Sequence, residues 1–154
     1  MIRAAPIFFV DTSCIIAAVC AWHQHHDAAA AEIERRLAAR QRLATAAHAL
    51  AETYAVLTRI PAPHRLSPAD ALALLEGNFM ASARVVALDA DGYRRLIRRA
   101  GKEGISGGRT YDAVIADCAL KAKAAVLLTF NAAHFASLDD AGVRVVVPSI
   151  ETGR

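Results

Sequence analysis

A chain of 154 residues that is 55% hydrophobic and 21% charged has enough apolar material for one core, and too much for a disordered polymer. Its net charge of +3 permits a polyanionic partner without demanding one. Cys14, Cys20 and Cys118 are odd in number and lack C-x-x-C spacing, so neither a disulfide framework nor a cysteine-based zinc site is indicated, and buried, reduced thiols in a cytoplasmic protein are expected.

No apolar run approaches the ~20 residues of a membrane span, so no membrane association is expected. The first apolar run follows a single basic residue, Arg3, and is broken at Asp11, which argues against a signal peptide. That run, Ile7–Val10, is short and continuous, the pattern of a buried strand in a parallel sheet. Asp11 follows it, at the strand end where open α/β sheets place their ligands. Two roles are open to Asp11: capping the helix expected over Cys14–Cys20, or joining a functional site.

Trp22–Asp27 reads as a polar loop. Its His23, His25 and His26 have no placed carboxylate or cysteine shell, and a solvated loop is the reading preferred to a metal site. Ala28–Arg40 follows as an amphipathic helix and Leu43–Thr45 as a short strand. His48–Arg59 is a helix closed by Pro61 and Pro63. Its core stripe is expected at Leu50, Tyr54 and Leu57, with His48, Glu52, Val56 and Arg59 on another face. No cation stands three or four residues after Glu52, so nothing local pairs with it.

Ser67-Pro68 starts the next helix, which runs to about Glu76. A strand is expected over Ala83–Leu88, then a helix from Asp89 to about Ala100 that ends at Gly101. Its Arg94, Arg95, Arg98 and Arg99 form a basic face, read as solvated. Gly104–Gly108 leads into a helix over Asp112–Lys121, a buried strand over Ala125–Thr129, a turn at Asn131–Phe135 and a last strand over Val143–Val147. Strands alternating with helices predict a single α/β domain over residues 1–154, with a mostly parallel sheet flanked by helices on both faces.

Asp112 and Asp117 sit in a segment that is otherwise apolar or small, where unpaired carboxylates are costly. Of the two, Asp112 joins Asp11 and Glu52 in a suggested acidic cluster. Clustered carboxylates repel one another unless a divalent cation intervenes, and oxygen ligands select Mg²⁺ or Mn²⁺.

The elements IFFVDTS, LAETYAVLTR followed by a proline, GGRTYDAVIADCAL and LLTFNAAHF resemble, in order and over nearly the whole chain, the PIN domain. More narrowly, they resemble the VapC-type ribonuclease toxins of bacterial toxin–antitoxin pairs. The resemblance implies a doubly wound α/β fold, Mg²⁺- or Mn²⁺-dependent endoribonuclease activity on RNA, and a cognate antitoxin that blocks the site. Its acids fall on Asp11, Glu52 and Asp112, with Asp11 and Asp112 holding the metal and Glu52 completing the shell. The fourth acid of many members falls on Asn131, a departure that removes a charge while keeping a carbonyl acceptor. Asp117 is a candidate to compensate, although on an ideal helix it lies roughly 140° round from Asp112; the alternative is an i,i+4 pair with Lys121. Ser13 is a candidate to bond a metal water or Asp11 itself, and Arg109 and Arg59 to contact RNA phosphates. The alanine-rich helices of the first half are expected to supply an antitoxin groove and a homodimer face. Two rivals are an aspartyl-phosphate phosphatase using Asp11, which lacks the usual second Asp two residues on (here Ser13), and a non-catalytic RNA- or partner-binding module.

Overall fold

Phe8, Phe9 and Val10 are wholly buried, because the strand that carries them, β1 (Ile7–Val10), is central in its sheet. The computed structural model describes residues 3–150. Within them β2 (Arg42–Ala46), β3 (Arg84–Val86), β4 (Val126–Leu128) and β5 (Arg144–Val146) complete a five-stranded sheet in the order β3-β2-β1-β4-β5. Every pairing is parallel, with Val10 opposite Thr45 on one side and Leu128 on the other. The chain first works outward from β1 to β3, then returns across the sheet to β4 and β5. With right-handed crossovers, that reversal puts helices on both faces.

The helices are α1 (Thr12–Val19), α2 (His26–Ala38), α3 (Ala47–Arg59), α4 (Pro68–Leu75), α5 (Ala90–Glu103), α6 (Arg109–Lys121) and α7 (Ser137–Asp140). The core joins β1 and β4 to the inner sides of α1, α5 and α6 through Ile15, Leu96, Ile115, Leu127 and Leu128, all fully buried. None of the helices is long and apolar enough to cross a membrane, among the described residues. All three cysteines are free and buried, as expected.

Several boundaries differ from the sequence reading for identifiable reasons. Helix α1 starts at Thr12 because Asp11 caps it directly, accepting from the Cys14 N–H at 2.9 Å. The Ser67 cap is as expected, but α4 runs into a π-helical turn over Glu76–Met80 that buries Phe79. Helix α5 passes through Gly101 and ends at Gly104, whose φ of 71° gives the left-handed turn that closes a helix. On α3 the buried stripe is Ala49, Thr53 and Leu57, while Tyr54 is exposed. Small residues let α3 approach its neighbours closely, which brings the His48–Glu52 face toward α1.

Candidate active site at the carboxyl edge of the sheet

Strands β1 and β4 lie side by side at the point where the chain's direction of travel reverses, the place where α/β sheets bind ligands. Asp11 leaves the end of β1 and Thr129 the end of β4, and the Asp11 N–H still donates to the Leu128 carbonyl at 3.2 Å. The Asp11 side chain is 1% exposed. Its Oδ1 accepts from Ser13 Oγ at 2.7 Å and from the Cys14 N–H, and its Oδ2 from Thr129 Oγ1 at 2.6 Å. The cap and the site acid are therefore one residue. Burial pushes the Asp11 carboxyl from its ordinary 3.8 up to about 6; the Thr129, Cys14 and Ser13 donors pull it back, and the charge of Asp112 pushes it up further.

A second layer of donors fixes this arrangement. The Phe130 N–H donates to Ser13 Oγ at 3.0 Å, and the Asn131 N–H to Thr129 Oγ1 at 2.9 Å. The hydroxyls that hold Asp11 are thus held by the turn leaving β4. Ser13 takes the second of its two anticipated roles, bonding Asp11 itself. Asn131 contributes through its backbone.

Glu52 comes in from α3. Thr12 Oγ1 donates to its Oε2 at 3.0 Å, tying Glu52 to the residue after Asp11. His48 Nε2 lies 3.2 Å from the same oxygen, but off the line a hydrogen bond needs, so this buried nitrogen is left without a partner among the described residues. The His48 ring stacks on Tyr111, with centroids 4.8 Å apart. Asp112 is half-buried in the first turn of α6, and His134 Nδ1 donates to its Oδ2 at 2.7 Å.

The other candidates part company here. Asp117 is bound by Arg99, whose Nη2 donates to both carboxylate oxygens at 3.0 and 3.1 Å. It has no contact with Asp11. Nor does it pair with Lys121, which donates instead to the Ala87 carbonyl. The helical offset explains this: Asp117 points toward α5, so Arg99 is not the freely solvated cation of the sequence reading. Arg109 is exposed and lines a cleft of about 310 Å³ with Arg99, Asp117 and His134, next to Asp112. Arg59 is exposed in the last turn of α3, and among the described residues no hydrogen bond or ion pair links it to the acids.

Carboxylate oxygens from Asp11, Glu52 and Asp112 suit a hard divalent cation in their chemistry, and Asp112 stands near enough to raise the Asp11 pKa. Among the described residues, however, no three His, Cys, Asp or Glu side chains form a ready-made metal cluster. Glu52 is drawn to Thr12 and Asp112 to His134. The fit is that of an acidic pair, with a third acid anchored beside it. The thiol of Cys14, next to Asp11, is held well above its ordinary pKa by burial, so it offers no nucleophile.

Thr12, Thr129 and His134 were given no role in the sequence reading, and His48 was placed on the Glu52 face without being paired to it. A threonine after an apolar strand was the available signal for Thr129, and the i,i+4 spacing was the signal for His48 and Glu52; His134 meets Asp112 only through tertiary packing.

The PIN domain model matches residues 8–141. Ribonuclease VapC40 of Mycobacterium tuberculosis is 40% identical over 119 residues, covering 77% of this chain and 82% of that protein. Ribonuclease VapC27 of the same organism is 38% identical over 142 residues, 92% and 97% of the two chains. Among solved structures, M. tuberculosis VapC20, a Sarcin-Ricin loop cleaving toxin, matches with a TM-score of 0.66 and 22% identity over 84% of this chain and 94% of its own. VapBC2 of Rickettsia felis, bound to a DNA fragment from its promoter, matches at 0.66 and 18% over 93% and 99%. Family model, relatives and fold agree: the chain belongs to the PIN domain family.

Proposed function

We propose that this chain is a Mg²⁺- or Mn²⁺-dependent endoribonuclease toxin neutralised by a cognate antitoxin. The observation that carries the reading is a buried Asp11 at the β1–β4 edge, with every nearby donor neutral and the charge of Asp112 against it. The VapC ribonucleases that resemble the chain over most of its length support the same chemistry.

Asp11 and Asp112 would hold the cation, with Glu52 completing the acidic shell. When bound, such an ion supplies positive charge at the phosphoryl oxygens and lowers the pKa of nearby water. Asp11 titrates at about 6 without it, so it is mostly ionised at neutral pH. Ser13, Thr129 and the Cys14 N–H keep both its oxygens in place, and a preset carboxylate costs no reorganisation during reaction. Thr12 fixes Glu52 through Oε2, leaving Oε1 to orient water or a cation ligand. Arg109, at the rim beside Asp112, would position phosphate.

The antitoxin reading is supported by neighbours solved as VapBC complexes. A cleft of about 320 Å³ between α1 and α2, lined by Val19, Ile33, Leu37 and Phe79, suits a short apolar antitoxin segment. A basic side chain of that partner would reach the acids. We assign the homodimer face to the first-half helices as well; light scattering that found only monomer at micromolar concentration would count against it.

The test of the activity is Asp11→Asn and Asp112→Asn. Each abolishes Mg²⁺-dependent RNA cleavage while circular dichroism stays that of the parent. Full activity in either purified variant would overturn the assignment.

A further inference from the structure

The loop between α1 and α2 does not behave as a solvated histidine loop. Its rings form two stacked pairs joined by tilted contacts, a row whose last member, Phe130, is next in sequence to Thr129 of the acidic site. His64, from the loop after α3, stacks on Trp22 with centroids 4.2 Å apart and 23° between planes. Trp22 leans on His23 at 5.9 Å, and His23 on His25 at 5.7 Å. His25 then lies nearly parallel to Phe130, 4.5 Å away at 10°. Phe130 follows Thr129, and its N–H donates to the Ser13 hydroxyl that holds Asp11.

Beside this row is a cleft of about 340 Å³, with His23, His25 and Phe130 as its rings and Ser13, Gln24 and Asn131 as its polar edges. Among the described residues no Asp, Glu, Lys or Arg lines it. That composition does not suit a cation or a phosphate. It suits a flat, neutral ligand with donors and acceptors around its rim, which amide and imidazole groups can meet. The rings are also poorly arranged for a metal, since the His25 N–H occupies His23 Nδ1 at 3.0 Å and His26 Nδ1 donates to the Ala17 carbonyl. Burial and the two neighbouring histidines push the His23 pKa down, which keeps that ring neutral. Trp22, between His64 and His23, remains 49% exposed, although packing alone would favour covering so large an apolar surface.

We propose that the row His64–Trp22–His23–His25–Phe130 is a nucleobase platform that stacks unpaired bases of a single-stranded RNA beside the phosphate to be cleaved. Proteins hold splayed-out bases on aromatic and histidine faces in this way, and read their edges with nearby polar side chains. The platform rests on the ribonuclease reading above, in that the acids mark where the phosphate lies. It adds where the bases rest: on the rings of the α1–α2 loop, to one side of the cut.

Trp22 is the sole tryptophan of the chain, so its fluorescence reports the platform directly. The full chain in EDTA, where RNA stays uncut, is titrated with short oligouridylate and oligoadenylate, and with an abasic ribose-phosphate oligomer of equal length. Saturable quenching by the two base-bearing oligomers, and little by the abasic one, is expected. His25→Ala weakens binding of a labelled oligomer by about tenfold, and Trp22→Ala does likewise while Trp22→Phe restores it. Both positions are on a loop, and unchanged melting of His25→Ala and Trp22→Ala guards against misfolding as the cause. Equal quenching by the abasic oligomer, or no effect of His25→Ala and Trp22→Ala on binding, overturns the platform. If wild-type protein cleaves RNA and Asp11→Asn does not, that failure leaves the ribonuclease reading standing. Quenching by bases without any cleavage keeps the platform and removes the nuclease.

Discussion

Replacing Asp11 by Asn should stabilise the metal-free protein at neutral pH while abolishing its activity. Folding moves the carboxyl from 3.8 to about 6, with burial as the main cause. The folded state therefore holds a proton on Asp11 where the unfolded chain has lost it. The sign follows: between about pH 4 and pH 6 the native state binds more protons, so stability falls as pH rises and levels off above the folded value. At ~1.4 kcal/mol for each pH unit of difference, the loss is about 3 kcal/mol. Asn carries no charge to bury and still offers a carbonyl to the Cys14 N–H and Ser13. Its amide meets Thr129 Oγ1, which must reorient its proton, at a cost of about 1 kcal/mol. The variant should thus gain about 2 kcal/mol at pH 7 and fall slightly below wild type, by up to about 1 kcal/mol, near pH 4, where only the Thr129 cost remains. Urea unfolding in EDTA across that range, wild type against variant, isolates this group from the other carboxylates. A variant less stable than wild type at pH 7, or a difference that does not change with pH, refutes the reasoning.

Thr129→Val removes the donor to Asp11 Oδ2 and the acceptor of the Asn131 N–H together; urea unfolding should register a loss of about 1–3 kcal/mol, with RNA cleavage falling at least tenfold. Asp117→Asn breaks only the pair with Arg99, whose side chain is 41% exposed, so cleavage in initial-rate assays should stay within about twofold and stability within about 1 kcal/mol. A large loss of activity in Asp117→Asn would return that residue to the site.

What was legible in the sequence was whatever depends on local pattern. The continuous run Ile7–Val10 identified a central strand, and Ser67-Pro68 a helix start, because burial on both faces and capping leave a signature within a few residues. Asp11 was visible as an acid closing an apolar strand, Glu52 as an acid midway along a helix and Asp112 as an acid opening an apolar one. The contacts that shape the site were not, because they join distant positions: Thr129 to Asp11 spans 118 residues and Thr12 to Glu52 spans 40. Asp117 was misjudged in its partner rather than its helix, since Lys121 found a carbonyl and Arg99 supplied the charge from α5. The stripe on α3 held at Leu57, which is buried, and at Leu50, which packs against the core, but failed at Tyr54 for a similar reason. Tyr54 is the larger apolar side chain, but close helix packing buries Ala49 and Thr53 in its stead. The histidine loop appeared featureless because ring stacking leaves no periodicity to read.

Asp11 is surrounded by neutral donors, and the nearest charge that affects it, Asp112, has the wrong sign. A site built in this way is destabilising until something positive enters, so a cation bound there, as proposed above, would be coupled to folding. A divalent ion bound only by the native state adds ~2.7 kcal/mol at a hundred times its Kd, and for a domain of this size each kcal/mol is worth about 2–4 °C. Saturating Mg²⁺ or Mn²⁺ should therefore raise the wild-type Tm by about 5–10 °C at pH 7. The gain should shrink toward pH 5, where Asp11 takes up its proton and competes with the ion. In Asp11→Asn most of it should vanish, because the repulsion that the ion relieves is already gone. Differential scanning fluorimetry across a metal titration measures all three, and an equal shift in wild type and Asp11→Asn would show that the cation binds elsewhere.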